Sequence, residues 1–161
     1  MIVLKIYYHI VSEIKKIFYK IIYKNKIKFG KGVTFRKGFS LMIDRNASVV
    51  IGKGCFFNNY CSINALDNIV IGDNCIFGEN MKMYDHNHVF NKKNVLIKKQ
   101  GYKKGKITIG ENCWIGSNTI ILKNVNIGKN SVIAANEKVD FNVADNMLVK
   151  NSNCEEIKFK L

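Results

Sequence analysis

The sequence predicts an all-β fold, a parallel solenoid built from six-residue repeats and preceded by one N-terminal helix. Three observations predict this architecture. Aliphatic or aromatic residues followed by Gly or Asn recur every six residues over most of the chain. The first 23 residues instead space their apolar side chains by three and four, and residues 87–106 follow no repeat. A period of six fits a coil with three short flat sides, one hexapeptide on each side.

The N-terminal segment is predicted to be a basic amphipathic helix over residues 1–23, within a helical cap that comprises residues 1–28. Isoleucines 6, 10, 14, 17 and 21 form its apolar pattern, and Glu13 is its only acidic residue among several lysines. Such a helix can lie on an anionic membrane surface. It can equally cap one end of the fold or pack on a partner subunit, because amphipathicity alone does not separate these roles.

The repeats are predicted to form one domain over residues 29–161, with a basic loop at 87–106 that is expected to project outward. The aliphatic residue of each hexapeptide should point into the core, and the Gly or Asn that follows should accept the bend at the corner. Four residues after each core position lies a slot for a small inward side chain. The slot is occupied by Cys55, Cys61, Cys75, Cys113, Thr119, Val125 and Ser131. These cysteines are therefore interpreted as packing residues rather than catalytic thiols.

Composition narrows the function classes. The chain has 161 residues, 47% of them hydrophobic, which indicates one folded domain. Its formal net charge of +14 indicates an anionic partner. Five cysteines without a CxxC pair argue against a disulfide framework or a zinc knuckle and favour a reducing, cytoplasmic compartment. No nucleic-acid motif is present, and no cleavable signal or bilayer-spanning stretch is evident.

Two histidines are candidates for chemistry. His86 and His88 lie where the regular coil gives way to the basic loop, whereas His9 falls in the predicted helix. A histidine at a coil edge beside a loop is well placed to act as a general base for a hydroxyl group.

Two stretches carry a resemblance to a known family. Residues 71–88 read IGDNCIFGENMKMYDHNH, and residues 107–135 contain the run ITIGENCWIGSN. They resemble the hexapeptide-repeat acyltransferases, especially the galactoside/maltose and capsular-polysaccharide O-acetyltransferases, over roughly residues 44–136. The resemblance implies a left-handed parallel β-helix and a homotrimer with active sites between subunits, each covered by the looped insertion. It also implies acetyl-CoA as co-substrate and no metal.

The resemblance also implies roles for individual residues. The family's catalytic histidine falls on His88 when counted from Ile71 without a gap, and His86, offset by two, is the alternative. The acceptor-contacting asparagine maps to Asn58. Asp85, or Glu79, would orient the imidazole, with Asp85 also a candidate acceptor contact.

The donor side of the cleft is implied in the same way. Trp114 is expected near the cofactor or the acceptor, the Ser117 amide at the thioester carbonyl, and the Ala135 backbone at the pantetheine arm. The motifs that touch the CoA nucleotide in the family are replaced here by Asn136-Glu137-Lys138 and by the run from Asn151 to Glu155. Other cations, namely Lys138, Lys150 or Lys158, would then hold the phosphates.

The predicted function is an acetyl-CoA-dependent O-acetyltransferase that acts on a sugar hydroxyl in surface-polysaccharide synthesis. The preferred acceptor is a lipid-linked or polymeric saccharide at the inner membrane face. Two alternatives stay open: N-acetylation of an amino sugar, and a non-enzymatic basic solenoid that binds an anionic partner. A metal-dependent β-helix enzyme is set aside because it needs three imidazoles from neighbouring coils, and only His86 and His88 lie in the repeats.

Overall fold

The computed structural model describes residues 2–158, which form one helix and a parallel β-solenoid of about six coils. Helix α1 (Ile2–Tyr23) is followed by a 3₁₀ turn at Lys24–Lys26, and a second 3₁₀ turn lies at Ile97–Lys99. The strands are β1 (Ile27–Phe29), β2 (Thr34–Phe35), β3 (Ser40–Ile43), β4 (Ser48–Ile51), β5 (Phe56–Phe57), β6 (Ser62–Ala65), β7 (Asn68–Ile71), β8 (Ile76–Phe77), β9 (Lys82–Tyr84), β10 (His86–His88), β11 (Tyr102–Lys104), β12 (Ile107–Ile109), β13 (Trp114–Ile115), β14 (Ile120–Leu122), β15 (Val125–Ile127), β16 (Val132–Ile133), β17 (Lys138–Val139), β18 (Met147–Lys150) and β19 (Asn153–Glu156).

Three sheets form the three sides of the solenoid. Sheet A contains β1, β4, β7, β12 and β15, sheet B runs from β2 through β5, β8, β13, β16 and β18 to β19, and sheet C contains β3, β6, β9, β14 and β17. Within each sheet, strands of successive coils pair in parallel, as in Phe57 beside Phe77 and Trp114 beside Ile76. The predicted parallel β-helix with an N-terminal helix is confirmed.

The core is a stack of the repeated apolar residues. Ile51, Ile71, Ile109 and Ile127 lie one above another in sheet A and are buried, as the six-residue period predicts. Each such side chain contributes about 1.5–3 kcal/mol by leaving water.

The small slots are also filled as predicted. Cys55, Cys75 and Cys113 are buried, and each thiol lies 3.1 Å from a backbone oxygen of the next coil. Ser131 makes the corresponding bond to Ala144 at 3.0 Å. The slot therefore takes small side chains, and all of these except Val125 have a group that can donate a hydrogen bond along the solenoid.

The corners depart from the prediction. The left-handed backbone conformation falls on residues three positions after the core residue, such as Asn112 (φ 56°) and Asn130 (φ 56°), and not on the glycine immediately after it. Asparagine adopts this conformation more readily than most residues. Gly110 instead permits close stacking, because a Cβ there would lie 2.5 Å from the Lys129 nitrogen.

Helix α1 closes the open end of the solenoid. The Ser12 hydroxyl accepts a hydrogen bond from the Phe35 N–H (2.8 Å), and its single hydrogen lies within reach of the Tyr8 carbonyl (2.6 Å) and the Phe35 carbonyl (3.1 Å). The hydroxyls of Tyr19 and Tyr23 donate to the Phe39 and Leu41 carbonyls, at 3.3 and 3.0 Å. These groups belong to the first coil, which has no preceding strand to satisfy them, so the helix protects an exposed sheet edge. None of the helices in residues 2–158 is long and apolar enough to cross a membrane.

The insertion leaves the solenoid after Asp85 and returns at Ile107. Its ends pair as an antiparallel hairpin of β10 and β11, with His88 opposite Tyr102. The buried Gln100 side chain holds the loop together: it accepts from the Lys92 N–H (2.8 Å) and donates to the Val95 carbonyl (2.7 Å).

Candidate active site

His86 and Asp85 form a carboxylate–imidazole pair where sheet C meets the insertion. Nδ1 of His86 lies 3.1 Å from Oδ1 of Asp85, and the His86 side chain is only 13% exposed. Asp85 also accepts the Leu66 N–H (2.7 Å) and the Asp67 N–H (2.8 Å). Because both carboxylate oxygens act as acceptors, Nδ1 carries the hydrogen and Nε2 is left as the basic nitrogen.

The position of Asp85 follows from the repeat pattern. The two-residue slip near Asp67 makes the corner of the second coil irregular and leaves two neighbouring backbone N–H groups in need of acceptors. Asp85 lies one coil further on and satisfies both. Its side chain is completely buried, which suits a residue that orients the imidazole rather than one that contacts an acceptor directly.

His88 lies in a more open setting. It is exposed and lines a pocket of about 240 Å³ together with Phe90, Lys103 and Lys123. The Tyr102 ring lies between the two histidines, with its centroid 4.5 Å from that of His88 and 5.4 Å from that of His86. Tyr102 was missed by sequence reasoning, since only the hairpin pairing across the insertion brings it to this position.

The residues implied for the donor and acceptor lie on another edge of the prism. We call the corners between sheets B and C the BC edge, and the corners between sheets C and A the CA edge. Asn58, Ser117 and Ala135 all lie on the BC edge, each one residue or two after a sheet B strand. Over residues 2–158 the backbone N–H groups of Ser117 and Ala135 donate to no protein acceptor. Two unpaired donors on successive coils, about 4.8 Å apart, form a small polar track.

The remaining predicted residues flank this track. Trp114 lies on sheet B and is 55% exposed, in register with Ile76 and Val132. Lys138 is exposed and pairs with Asp140 at 2.7 Å, and Glu79 lies exposed on the BC edge, away from the imidazoles.

The two segments that depart from the family pattern meet each other in the structure. The Glu137 carboxylate accepts the N–H groups of Asn151 (2.5 Å) and Ser152 (3.1 Å), which form the turn between β18 and β19. Both turn residues have positive φ, 52° and 59°. The two sequence departures are therefore parts of one local structure.

Within one chain, the histidines lie far from the residues implied for donor and acceptor binding. His86, His88 and Asp85 belong to the CA edge, whereas Asn58, Ser117 and Ala135 belong to the BC edge, and the whole of sheet C lies between. One side of the coil is about six residues, which can span up to about 20 Å. A base on one edge cannot reach a substrate held on the other edge of the same chain.

In the described residues no group of three or more His, Cys, Asp or Glu side chains is arranged to hold a metal ion.

Comparisons with known proteins find similarity to one repeat family and to solved structures of the same fold. The family model for bacterial transferase hexapeptide repeats (six repeats) matches residues 106–136. Residues 106–136 of the chain are therefore similar to the repeats of that family. An inferred acetyltransferase of Saccharomyces cerevisiae is 38% identical to the chain over 52 residues, which are 32% of the chain and 26% of that relative's length.

Solved structures share the fold of this chain. A hexapeptide-repeat acetyltransferase from Vibrio cholerae, complexed with acetyl coenzyme A, superimposes with a TM-score of 0.72 at 24% identity over 84% of this chain and 72% of that one. Galactoside acetyltransferase with coenzyme A gives 0.69 at 26% identity, over 91% and 71%. A maltose O-acetyltransferase from Clostridium difficile gives 0.68 at 26% identity, over 86% and 73%.

Proposed function

We propose that this protein is an acetyl-CoA-dependent acetyltransferase that transfers the acetyl group directly to a sugar hydroxyl. The observation that carries the proposal is the Asp85–His86 pair on a hexapeptide-repeat solenoid whose BC edge presents two free backbone N–H groups. The similar structures that bind coenzyme A or acetyl coenzyme A, and whose names include a galactoside and a maltose enzyme, support the donor and the acceptor class.

In this proposal His86 is the general base. Nε2 takes the hydroxyl proton as the acceptor oxygen attacks the thioester carbon, and the imidazolium that forms is stabilised by Asp85. The proton then passes to the departing CoA thiolate. The Ser117 N–H is placed to hold the negative oxygen of the tetrahedral intermediate, and the Ala135 N–H to contact the pantetheine arm. No covalent intermediate on the enzyme is required.

His88 has a different role from His86 in this proposal. The sequence register favours His88 as the base, but the structure gives the oriented, shielded imidazole to His86, while His88 lines an open pocket with Lys103 and Lys123. We assign His88 and Asn58 to acceptor binding, and Trp114 to the mouth of the cleft.

A complete site requires a second copy of the chain. We propose that the BC edge of one subunit faces the CA edge of its neighbour in a homotrimer, so that Ser117 and Asn58 of one copy meet His86 of another. Lys138, Lys150 and Lys158 are our candidates for the CoA phosphates. The surface-polysaccharide role and the inner-face location remain part of this proposal.

An oxygen acceptor is favoured over an amine by the Asp85–His86 pair. A sugar hydroxyl keeps its proton at neutral pH and needs a base as it attacks, whereas a deprotonated amine is already nucleophilic. Acetyl transfer to matched sugar and amino-sugar panels distinguishes the two acceptors directly.

The decisive experiment compares His86→Ala with His88→Ala. We expect His86→Ala to lower kcat by about 10²–10⁴-fold with acetyl-CoA affinity unchanged in calorimetry, since the base acts only in the chemical step. His88→Ala should chiefly raise KM for the acceptor.

The opposite pattern, with kcat lost only in His88→Ala, would assign the base to His88. Failure of the unmodified protein to bind acetyl-CoA would overturn the enzymatic proposal and favour a solenoid that binds an anionic partner without catalysis.

A further inference from the structure

Helix α1 presents its apolar face to solvent and its polar face to the protein. Ser12 and Lys16 are buried against the solenoid, and Tyr19 and Tyr23 lie on the same side. The opposite face is entirely apolar. It comprises Val3, Ile6, Tyr7, Ile10, Ile14, Ile17, Phe18 and Ile21, whose side chains are 54–78% exposed.

This inversion has a physical cause. The first coil leaves backbone groups of Phe35, Phe39 and Leu41 without a strand partner, and the hydroxyls of Ser12, Tyr19 and Tyr23 are the groups of α1 that bond to them. The hydrogen-bonding residues must therefore face the solenoid. The isoleucines are left on the outside, where nothing in the chain covers them in the described residues.

The helix lies across the end of the solenoid. Ser12, Tyr19 and Tyr23 reach Phe35, Phe39 and Leu41 in turn, so the helix follows the perimeter of a single coil instead of crossing successive coils. Its apolar face therefore points off the end of the molecule, as one stripe along a 22-residue helix. A contiguous exposed patch of this kind marks an interaction surface.

Charge is concentrated at the same end. Residues 1–43 contain ten lysines and arginines and a single acid, so they carry +9 of the net charge of +14. That acid, Glu13, is neutralised by Lys16 at 2.6 Å. Two copies joined through this end would bring two strongly positive surfaces together. An anionic surface is the complementary partner.

A groove beside the helix has matching chemistry. It encloses about 700 Å³ between the start of α1 and sheet B, and Leu4, Ile6, Tyr8 and Phe56 line it. The Arg36 guanidinium lies 5.8 Å from the Tyr8 ring centroid and 5.3 Å from that of Phe56. Apolar walls with a cation at the rim suit an acyl chain beneath an anionic headgroup.

We infer that the α1 end of the solenoid docks on an anionic lipid surface. Helix α1 lies in the plane of the interface, its isoleucines enter the boundary between headgroups and acyl chains, and the surrounding lysines and Arg36 contact the headgroups. This inference rests on α1 and the first coil and does not depend on the proposed acetyltransferase activity. If the protein is a trimer, all three helices lie at one end and bind the membrane together.

Vesicle flotation tests the inference. The full chain is mixed with vesicles of phosphatidylcholine alone or with one-quarter phosphatidylglycerol. Ile10→Ser/Ile14→Ser/Ile17→Ser changes only outward residues, and its fold is checked by circular dichroism and thermal unfolding. Val70→Ser/Ile76→Ser/Ile120→Ser, three exposed apolar residues on the solenoid body, is the matched control.

The unmodified chain and the control should float with the anionic vesicles and not with the neutral ones. The helix variant should partition at least tenfold less while unfolding at the same temperature as the unmodified chain. Absence of flotation, or equal flotation of the helix variant, would overturn the inference. Light scattering tests whether a second copy covers this face instead. If the unmodified chain binds no vesicles and forms an assembly in solution that becomes smaller in the helix variant, the apolar face is an interface between copies, and the inference is wrong.

Discussion

The Asp85 side chain joins the scaffold to the proposed chemistry. Its two oxygens accept two backbone N–H groups from the preceding coil and the Nδ1–H of His86. The solenoid therefore fixes the carboxylate, and the carboxylate fixes the tautomer and orientation of the ring. We regard Asp85 as a positioning residue, because it is buried and does not face solvent.

Replacing this carboxylate by an amide tests the positioning role. Asp85→Asn removes the negative charge that would stabilise the imidazolium, and whichever way the amide turns, its NH₂ group meets the backbone N–H of Leu66 or Asp67, so the side chain no longer holds the ring in place. We expect kcat to fall at least tenfold with KM for acetyl-CoA unchanged, because the partner of the ring acts only in the chemical step.

Asp73→Asn is the matched control for that variant. Asp73 accepts the Lys53 N–H at 2.8 Å, so it also caps the corner of a preceding coil, but it lies far from the histidines on the corner between sheets A and B. If the two variants lose kcat equally, or if neither does, Asp85 serves only the fold.

At the residue scale, the sequence could not predict which of the two histidines is held by a buried carboxylate. The six-residue count places His88 in the family's position, but the count takes no account of the chain leaving the coil after Asp85. The structure reveals instead that Asp85 turns inward and His86 becomes its neighbour. A carboxylate partner one residue away is visible in the sequence, but its burial is not.

At the scale of elements, the period predicted strands, core and slots well. Each of these depends on the type of residue at a fixed repeat position, such as Ile71 or Cys75, and on nothing further away. The orientation of α1 was not predictable in this way. Amphipathicity identifies two faces, but the unpaired edge of the first coil decides which face turns inward.

The turn of the C-terminal hairpin of β18 and β19 is held by the carboxylate of a single glutamate, Glu137. Glu137→Ala removes the acceptor for the Asn151 and Ser152 N–H groups, and both residues then hold positive φ without support. We expect a loss of about 1–3 kcal/mol in local stability, seen as faster hydrogen exchange in residues 147–156.

The same variant tests how CoA is held. If Lys150 and Lys158 bind the phosphates, loosening the hairpin should raise the Kd for acetyl-CoA severalfold in calorimetry. Glu111→Ala is the control, since Glu111 is an exposed corner residue whose carboxylate makes no hydrogen bond in the described chain. Faster exchange with an unchanged Kd would place the phosphates elsewhere.

At the scale of the whole molecule, the arrangement of edges determines whether one chain can work alone. Asn58, Ser117 and Ala135 lie on the BC edge, whereas His86 and His88 lie on the CA edge, with sheet C between them. In a closed threefold assembly, each BC edge can face the CA edge of the next copy. The sequence could not establish this separation, because the order of residues along the coil does not reveal which edges meet across a subunit boundary.

Complementation between two inactive variants tests this arrangement. His86→Ala and Asn58→Ala, which change opposite edges, are co-expressed with different tags, and mixed assemblies are isolated through both tags. If each site takes His86 from one copy and Asn58 from the next, every mixed trimer contains one intact site, so the mixture should recover about a third of the unmodified activity per trimer. If each site lay within one chain, no site would be intact, and the mixture would be as inactive as either variant alone. His86→Ala co-expressed with Asp85→Asn is the control: both changes lie on the CA edge, so activity above that of Asp85→Asn alone would contradict a site that takes its whole CA edge from one subunit.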